Sequence, residues 1–373
     1  MAAPPSLGAG LSVRAAEPYS PAAASIEAWA DAACERFYVS RTGASASSAS
    51  HMLLARAAGS GELIGACEAS SWFGGCYVSR LAVARAWRRG RGVGSALLAE
   101  LGREALAGAA RARFLYLCTL DFQDGPKFYP RLGFAAGNVI EGLPAGRTVS
   151  YFSREIGAAE ATALAAPAAA PAAAPAAAPA AAPAAAAETA APTFLVESLH
   201  APAGGAALPP AELAAREAEA QAFLRATFVE HSQKAVGAES GYFTFHFEAI
   251  SQDSEARVGA IHGLAYWGCF VISLLIVDEP FRSRGAGSAL LAAALQLGRE
   301  RGCTRCVVET MSFQAPKFYE RHGFVEVARV PGWQQGAELV RFVKELAPLD
   351  AVPAATAAPA PGGDDNGKGA CCC

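Results

Sequence analysis

The segment FQDGPKFYPRLGF (Phe122 to Phe134) returns later in the chain as FQAPKFYERHGF (Phe313 to Phe324). Upstream of each lies a second matched block, RRGRGVGSALLAELGREAL (Arg88 to Leu106) answering FRSRGAGSALLAAALQLGRE (Phe281 to Glu300). Two blocks repeated in the same order mark an internal duplication, so whatever unit this chain folds into, it contains twice. Between the copies, Pro167, Pro171, Pro175, Pro179 and Pro183 recur in a background of alanine. Each proline removes a backbone donor and clashes one turn back, so this stretch reads as an extended spacer rather than a helix. The expected organisation is a first domain over residues 10–157, an Ala/Pro-rich linker over 158–192, a second domain over 193–347 and a disordered Ala/Pro/Gly tail over 348–373. With no core predicted across the spacer, each domain is expected to fold alone.

A length of 373 residues accommodates two such domains, and although alanine inflates the hydrophobic fraction of 53%, 19 Phe supply real cores. Lys+Arg 31 against Asp+Glu 34 gives a net charge of -3, which disfavours nucleic acid as a partner. The sequence shows neither a membrane-spanning apolar run nor a basic start leading into an apolar block. The 10 Cys are scattered, with Cys371, Cys372 and Cys373 at the end, and form no disulfide framework. A cytoplasmic location is expected, with membrane contact only if the terminal cysteines are lipidated.

Alternation in YFTFHFEAI (Tyr242 to Ile250) predicts a half-buried strand, and the continuous apolar run CFVISLLIV (Cys269 to Val277) a central one. Helices are predicted over 211–228 and 285–301, then the strand TRCVVETM, a short helix from Pro316 and the strand ELVRFVKEL. The first copy gives the same order, from a helix over 20–39 through the strands HMLLARA, LIGACEA and CYVSRLAV to RFLYLCTL and RTVSYFSREI. The fold class is α/β (α+β) with a mixed sheet in each copy.

In both copies the central strand ends in an Arg-x-x-Gly-x-Gly turn and enters a helix: Arg89, Gly90, Arg91, Gly92, Val93, Gly94 and Ser95, matched by Arg282, Ser283, Arg284, Gly285, Ala286, Gly287 and Ser288. Glycines let a ligand approach exposed backbone donors, and the first helical turn adds unpaired N–H groups at its positive end. A pyrophosphate fits that chemistry. A dinucleotide-binding fingerprint is the near rival, but it follows the first strand of a βαβ unit, and Ser283 stands where its first glycine belongs. A tight turn with solvated arginines is the plain structural alternative.

The turn, a Leu-x-Val strand end before it (Leu81, Ala82, Val83; Leu275, Ile276, Val277) and a Tyr before Gly-Phe after it (Tyr129, Gly133, Phe134; Tyr319, Gly323, Phe324) together resemble the GNAT superfamily of N-acetyltransferases. The resemblance covers nearly all of both copies. It implies a mixed, mostly antiparallel central sheet flanked by helices, and acetyl-CoA as co-substrate with no metal. It further implies transfer of the acetyl group to a primary amine, on a small molecule or a peptide, by direct attack in a ternary complex. By the same resemblance the strand ends hold the acetyl carbonyl and pantetheine, the turns hold the pyrophosphate, and Tyr129 and Tyr319 are general acids. A phenol stays protonated at neutral pH and so remains loaded, although a packed core tyrosine is the plainer reading.

Glu309 lies inside an apolar strand where the first copy has Cys118. It is read either as a base drawing the amine proton or as a structural carboxylate with a buried partner. The second domain is the expected catalytic copy, and the first is either weakened or relies on Asp121 or Glu141. Cys118 and the Cys303/Cys306 pair are assigned to packing, while His246 and His262 either line the amine pocket or are structural. The rival function is a non-catalytic acyl-CoA-binding or scaffolding protein with one or both copies degenerate.

Overall fold

Each half of the chain gives its first strand and first helix to the other half's sheet. The computed structural model describes residues 11–43, 45, 48–88, 90–157, 194–200, 208–236 and 240–347. The expected linker and tail lie outside them. Strand β1 (Leu11–Ala16) is followed by helix α1 (Pro21–Thr42), β2 (Ala49–Ala57), β3 (Leu63–Trp72), β4 (Gly75–Val83), α2 (Val93–Ala107), β5 (Phe114–Leu120), the short α3 (Gly125–Phe128), β6 (Ala135–Leu143) and β7 (Arg147–Glu155). The second half repeats this as β8 (Phe194–Ser198), α4 (Pro210–Val236), β9 (Phe243–Ser251), β10 (Arg257–Tyr266), β11 (Cys269–Val277), α5 (Ala286–Glu300), β12 (Arg305–Met311), α6 (Pro316–Arg321), β13 (Val325–Val330) and β14 (Leu339–Glu345).

The two seven-stranded sheets run β6-β7-β5-β4-β3-β2-β8 and β1-β9-β10-β11-β12-β14-β13. Strand β1 pairs antiparallel with β9, Leu11 opposite Ser251 and Ala16 opposite His246, while β8 pairs with β2, Leu53 opposite Ser198. The helices follow their strands: α1 packs on β9, β10 and β11, and α4 on β2, β3 and β4. Helix α1 is set by the Ser20 side chain accepting from the Ala23 N–H at 3.1 Å, Pro21 in the first turn and Gly43 in the left-handed region at its end. Its buried residues Ile26, Ala30, Ala33 and Tyr38 recur at helical spacing.

Each sheet thus takes one strand from outside the expected bounds of its own domain. One core cluster draws Tyr38, Trp72, Phe73, Phe114 and Tyr116 from the first half and Leu274, Met311 and Trp333 from the second. Trp333 is fully buried, 5.0 Å centroid to centroid from Phe114 and 4.8 Å from Trp72. Gly75 is required there, since a Cβ on it would meet the Trp333 ring at 2.7 Å.

In each sheet the strands are antiparallel except for β4 with β5 and β11 with β12. These parallel pairs are short, Gly75–Tyr77 against Phe114–Tyr116 and Cys269–Ile272 against Arg305–Val308. Beyond them the strands diverge, leaving the ends of β4 and β11 unpaired on that side. Upstream of both ends lies a register shift, between Glu68 and Ala69 opposite β4 and between His262 and Gly263 opposite β11. Ser79 and Ser273 are the extra residues, and such bulges turn the strand away from its neighbour.

Candidate active site

The diverging strand ends open toward the two glycine turns. Gly90 (φ 80) and Gly92 (φ 73) lie in the left-handed region, as do Ser283 (φ 60) and Gly285 (φ 88). Gly92 and Gly285 are the N-caps of α2 and α5, and neither supplies a side-chain cap. The first-turn N–H groups therefore face outward, and a Cβ built on Gly92 would meet nothing within 4 Å. This is a cradle suited to a phosphate. Behind it, Gly94 leaves room for Phe128, whose ring would lie 3.0 Å from an added Cβ, and Gly287 does the same less tightly for Phe318 at 3.5 Å.

Arg88 donates from Nε to the Val83 carbonyl at 2.7 Å, and Arg282 to the Val277 carbonyl at 2.9 Å. The residue equivalent to Arg282 is thus Arg88 rather than the expected Arg89, because the first turn is one residue longer. Arg89 itself lies outside the described residues. Arg91 stacks over Trp87 at 5.0 Å and Arg284 over Phe281 at 5.6 Å, both exposed. In the second copy Ser288 is bonded to His322 Nε2 at 3.0 Å, so its hydroxyl has a partner inside the protein.

A cavity of about 2980 Å³ begins at the first turn. Leu81, Ala82, Val83, Arg88, Gly90 and Gly92–Ser95 line it, with Phe128 and Tyr129. Its walls continue onto the exchanged α4 at Arg225, Phe228 and His231, and across the interface to Tyr266, Trp267 and Glu309. None of Arg282–Ser288 lines this cavity. The two matched tyrosines differ accordingly. The two pack alike, Tyr129 on Phe128, Phe134 and Phe152 and Tyr319 on Phe318, Phe324 and Phe342, but Tyr129 (8% exposed) reaches the wall of this cavity and Tyr319 (1% exposed) does not. Burial pushes the Tyr129 phenol up, so it stays protonated well beyond neutral pH.

Glu309 has the buried partner that the second of its two readings required. Arg341 donates to it from Nε at 2.7 Å and also from Nη2. Arg341 is 3% exposed, donates from Nη1 to Asn138 and lies 3.4 Å from the Tyr151 ring centroid. The carboxylate is therefore held at the seam between the halves, on the wall of the cavity. Asp121 is paired with Arg147 at 3.4 Å, and Glu141 is exposed on β6.

Sequence patterns marked Arg88 only as one of a cluster of arginines at the turn, and did not single out Arg341, Asn138, Tyr77 or Tyr266. The last two flank Cys118, whose sulfur lies 3.5 Å from the Tyr77 hydroxyl and 3.6 Å from that of Tyr266. Burial raises the Cys118 thiol, which opposes a thiolate nucleophile. The signal for these residues was weak, because their partners lie on other strands, in the same half or across the seam.

Residues 211–324 match a family model described as the acetyltransferase (GNAT) family, and residues 48–136 match one described as an acetyltransferase (GNAT) domain. Blasticidin-S acetyltransferase of Streptomyces morookaense is 40% identical over 89 residues, 24% of this chain and 65% of that protein's length. Acetyltransferase Atu2258 of Agrobacterium fabrum (strain C58 / ATCC 33970) is 30% identical over 97 residues, 26% of this chain and 71% of that one. Among solved structures, an acetyltransferase from Bacillus cereus ATCC 14579 aligns with a TM-score of 0.32 at 25% identity, covering 34% of this chain and 92% of the other. A streptothricin acetyltransferase from Bacillus anthracis str. Ames, solved with acetyl coenzyme A, aligns with a TM-score of 0.26 at 23% identity over 28% of this chain and 63% of that one.

Proposed function

The chain belongs to the GNAT family of acetyltransferases, and from that premise we propose that it moves an acetyl group from acetyl-CoA to a primary amine at the first half's strand end. The observation that carries this reading is that one cavity joins Leu81–Val83, the Gly90–Ser95 turn and Tyr129. Acetyl-CoA supplies a thioester carbonyl open to attack by a neutral amine. The residues present fit it: the α2 N-cap has no side-chain cap, and the β4 edge beyond Tyr77 has no strand beside it.

Backbone N–H groups of Gly92–Ser95 would bind the pyrophosphate, with Arg88 and Arg91 adding charge. The β4 edge would offer its amide groups to the pantetheine arm and to the charge that develops on the acetyl oxygen. Tyr129 holds the proton that the departing sulfur takes up, and burial keeps it loaded at neutral pH while making it the weaker acid of the pair. Glu309, although shared with Arg341, keeps lone pairs for an ammonium or a bridging water and so orients the acceptor and receives its proton. The aromatic groups Tyr266 and Trp267 on the same wall suit a small-molecule amine or a peptide N-terminus with apolar surface.

Acetyl-CoA turnover by the full chain against a panel of amines, with products identified by mass, tests this reading. Acetyl-CoA binding without transfer to any amine would favour the scaffolding alternative. The first half is read as the working copy because its turn and Tyr129 line this cavity.

A further inference from the structure

We propose that Glu27, His246 and His262 form a binding site for a divalent transition-metal ion of the zinc class, which fastens the exchanged helix α1 to the sheet it crosses to. His246 on β9 and His262 on β10 are direct cross-strand partners, with ring centroids 5.7 Å apart. Glu27 reaches them from α1, bonded to His246 Nε2 at 2.6 Å. Each of the three residues offers one ligand atom, and these atoms all lie within 4.8 Å of one another. The interval from 2.6 to 4.8 Å brackets the edge of about 3.4 Å expected for a tetrahedral zinc site.

A second observation points the same way. His246 Nδ1 and His262 Nε2 are both buried and lack a hydrogen-bond partner among the described residues. The unpartnered His262 Nε2 is expensive in an apolar setting, and a cation accepting its lone pair removes that cost, while His246 would bind through Nε2, the nitrogen that faces Glu27. Two imidazoles and a carboxylate are donors that suit zinc, cobalt, nickel or copper rather than magnesium or calcium. The side chain of Glu27 is 43% exposed, which gives an ion a way in and leaves a coordination position for water.

The equivalent place in the other half is built differently. Met52 and Glu68 are the cross-strand partners there, and Glu68 is satisfied by Arg80 at 2.6 Å and by Gln221 of α4 at 2.9 Å. The same junction of exchanged helix and sheet is thus closed by an ion pair in one half and by the Glu-His-His cluster in the other. The cluster belongs to this copy, not to the fold in general.

The test is titration of the full-length, chelator-treated protein with Zn²⁺ by calorimetry and with Co²⁺ by visible absorption, alongside melting with and without Zn²⁺. The terminal cysteines are replaced by serine in a control chain. Expected are one equivalent bound with nitrogen/oxygen-type Co²⁺ bands, retained in the control chain, and a rise in Tm with Zn²⁺. Glu27→Gln should weaken binding at least about tenfold and remove the Tm rise, and His262→Ala should abolish both. Glu27 is partly exposed, so its variant reports on binding even if His262→Ala fails to fold. No binding, or binding unaffected by Glu27→Gln or lost with the terminal cysteines, would overturn the proposal.

Discussion

Tyr129 and Tyr319 occupy the same position in the two copies and pack on matched phenylalanines, but only Tyr129 lines the cavity, and that difference decides which is expected to matter for turnover. Tyr129→Phe should lower kcat about a hundredfold with little change in KM for acetyl-CoA, because it removes one proton and keeps the ring. Tyr319→Phe should leave kcat nearly unchanged. The reverse result would move the working site to the second half. Because burial raises the Tyr129 pKa, the wild-type pH–rate profile should show no falling limb from this group in the neutral range, and a limb there that Tyr129→Phe removes would contradict the assignment. His262 gives a stability prediction. Burial lowers its pKa from 6.5 to about 4, against the attraction of Glu27 and with the help of His246. In metal-free protein the unfolded chain therefore binds this proton more readily than the folded one between those values. Stability should fall as pH drops from about 6.5 to about 4, by up to roughly 3 kcal/mol from this group. Denaturant melts of wild type and His262→Asn across that range measure it, the variant lacking this component of the slope.

At the scale of elements, the strand-to-helix turn is the part most open to direct attack. Gly92→Glu meets no neighbour but strains a backbone at φ 73, and it places a negative charge over the first turn of α2. Acetyl-CoA affinity should drop at least about a hundredfold while the fold persists, as measured by calorimetry and circular dichroism. Affinity unchanged by this substitution would remove the turn from the donor site. Such a turn was legible in the sequence because glycine spacing has one dominant physical cause, a backbone in the left-handed region next to a helix start. The central strands and both long helices after them were equally legible from their apolar runs. Strands β1, β6, β8 and β13 were not predicted. The first and third are short and take their partners from the other half, while β6 and β13 carry exposed residues at sheet edges. Pattern alone marks a strand by what it buries, and edge strands bury little. The Glu309–Arg341–Asn138 group was illegible for another reason: Glu309 and Arg341 meet as partners on neighbouring strands distant in sequence, and Asn138 joins them from the other half.

At the scale of the whole molecule, the exchange of β1–α1 for β8–α4 makes the halves depend on one another. Met52, Leu54 and Ala66 of the first half are buried under Ala220 and Leu224 of the second. A chain cleaved between Pro167 and Pro183 should therefore stay together through gel filtration and melt in one transition. Either half expressed alone should be poorly folded, and mixing the two should restore acetyl-CoA binding. Separate, unshifted melts for isolated halves would show that the arms are dispensable.

The crossed arms also set a contest between folding inward and donating outward. An arm held on the same chain meets its receiving sheet at an effective concentration on the order of millimolar, so in dilute solution each molecule closes on itself. When unfolded chains are crowded beyond that level, a neighbour's arm competes for the vacant edge beside β9 or β2. The contact made that way is head-to-tail and leaves a free arm at one end and an empty berth at the other, so growth continues. Refolding at rising protein concentration, followed by light scattering, should convert monomers into chains of increasing length, and substitutions in the connections at Gly43–Ser48 and 237–242 should shift the concentration at which this begins.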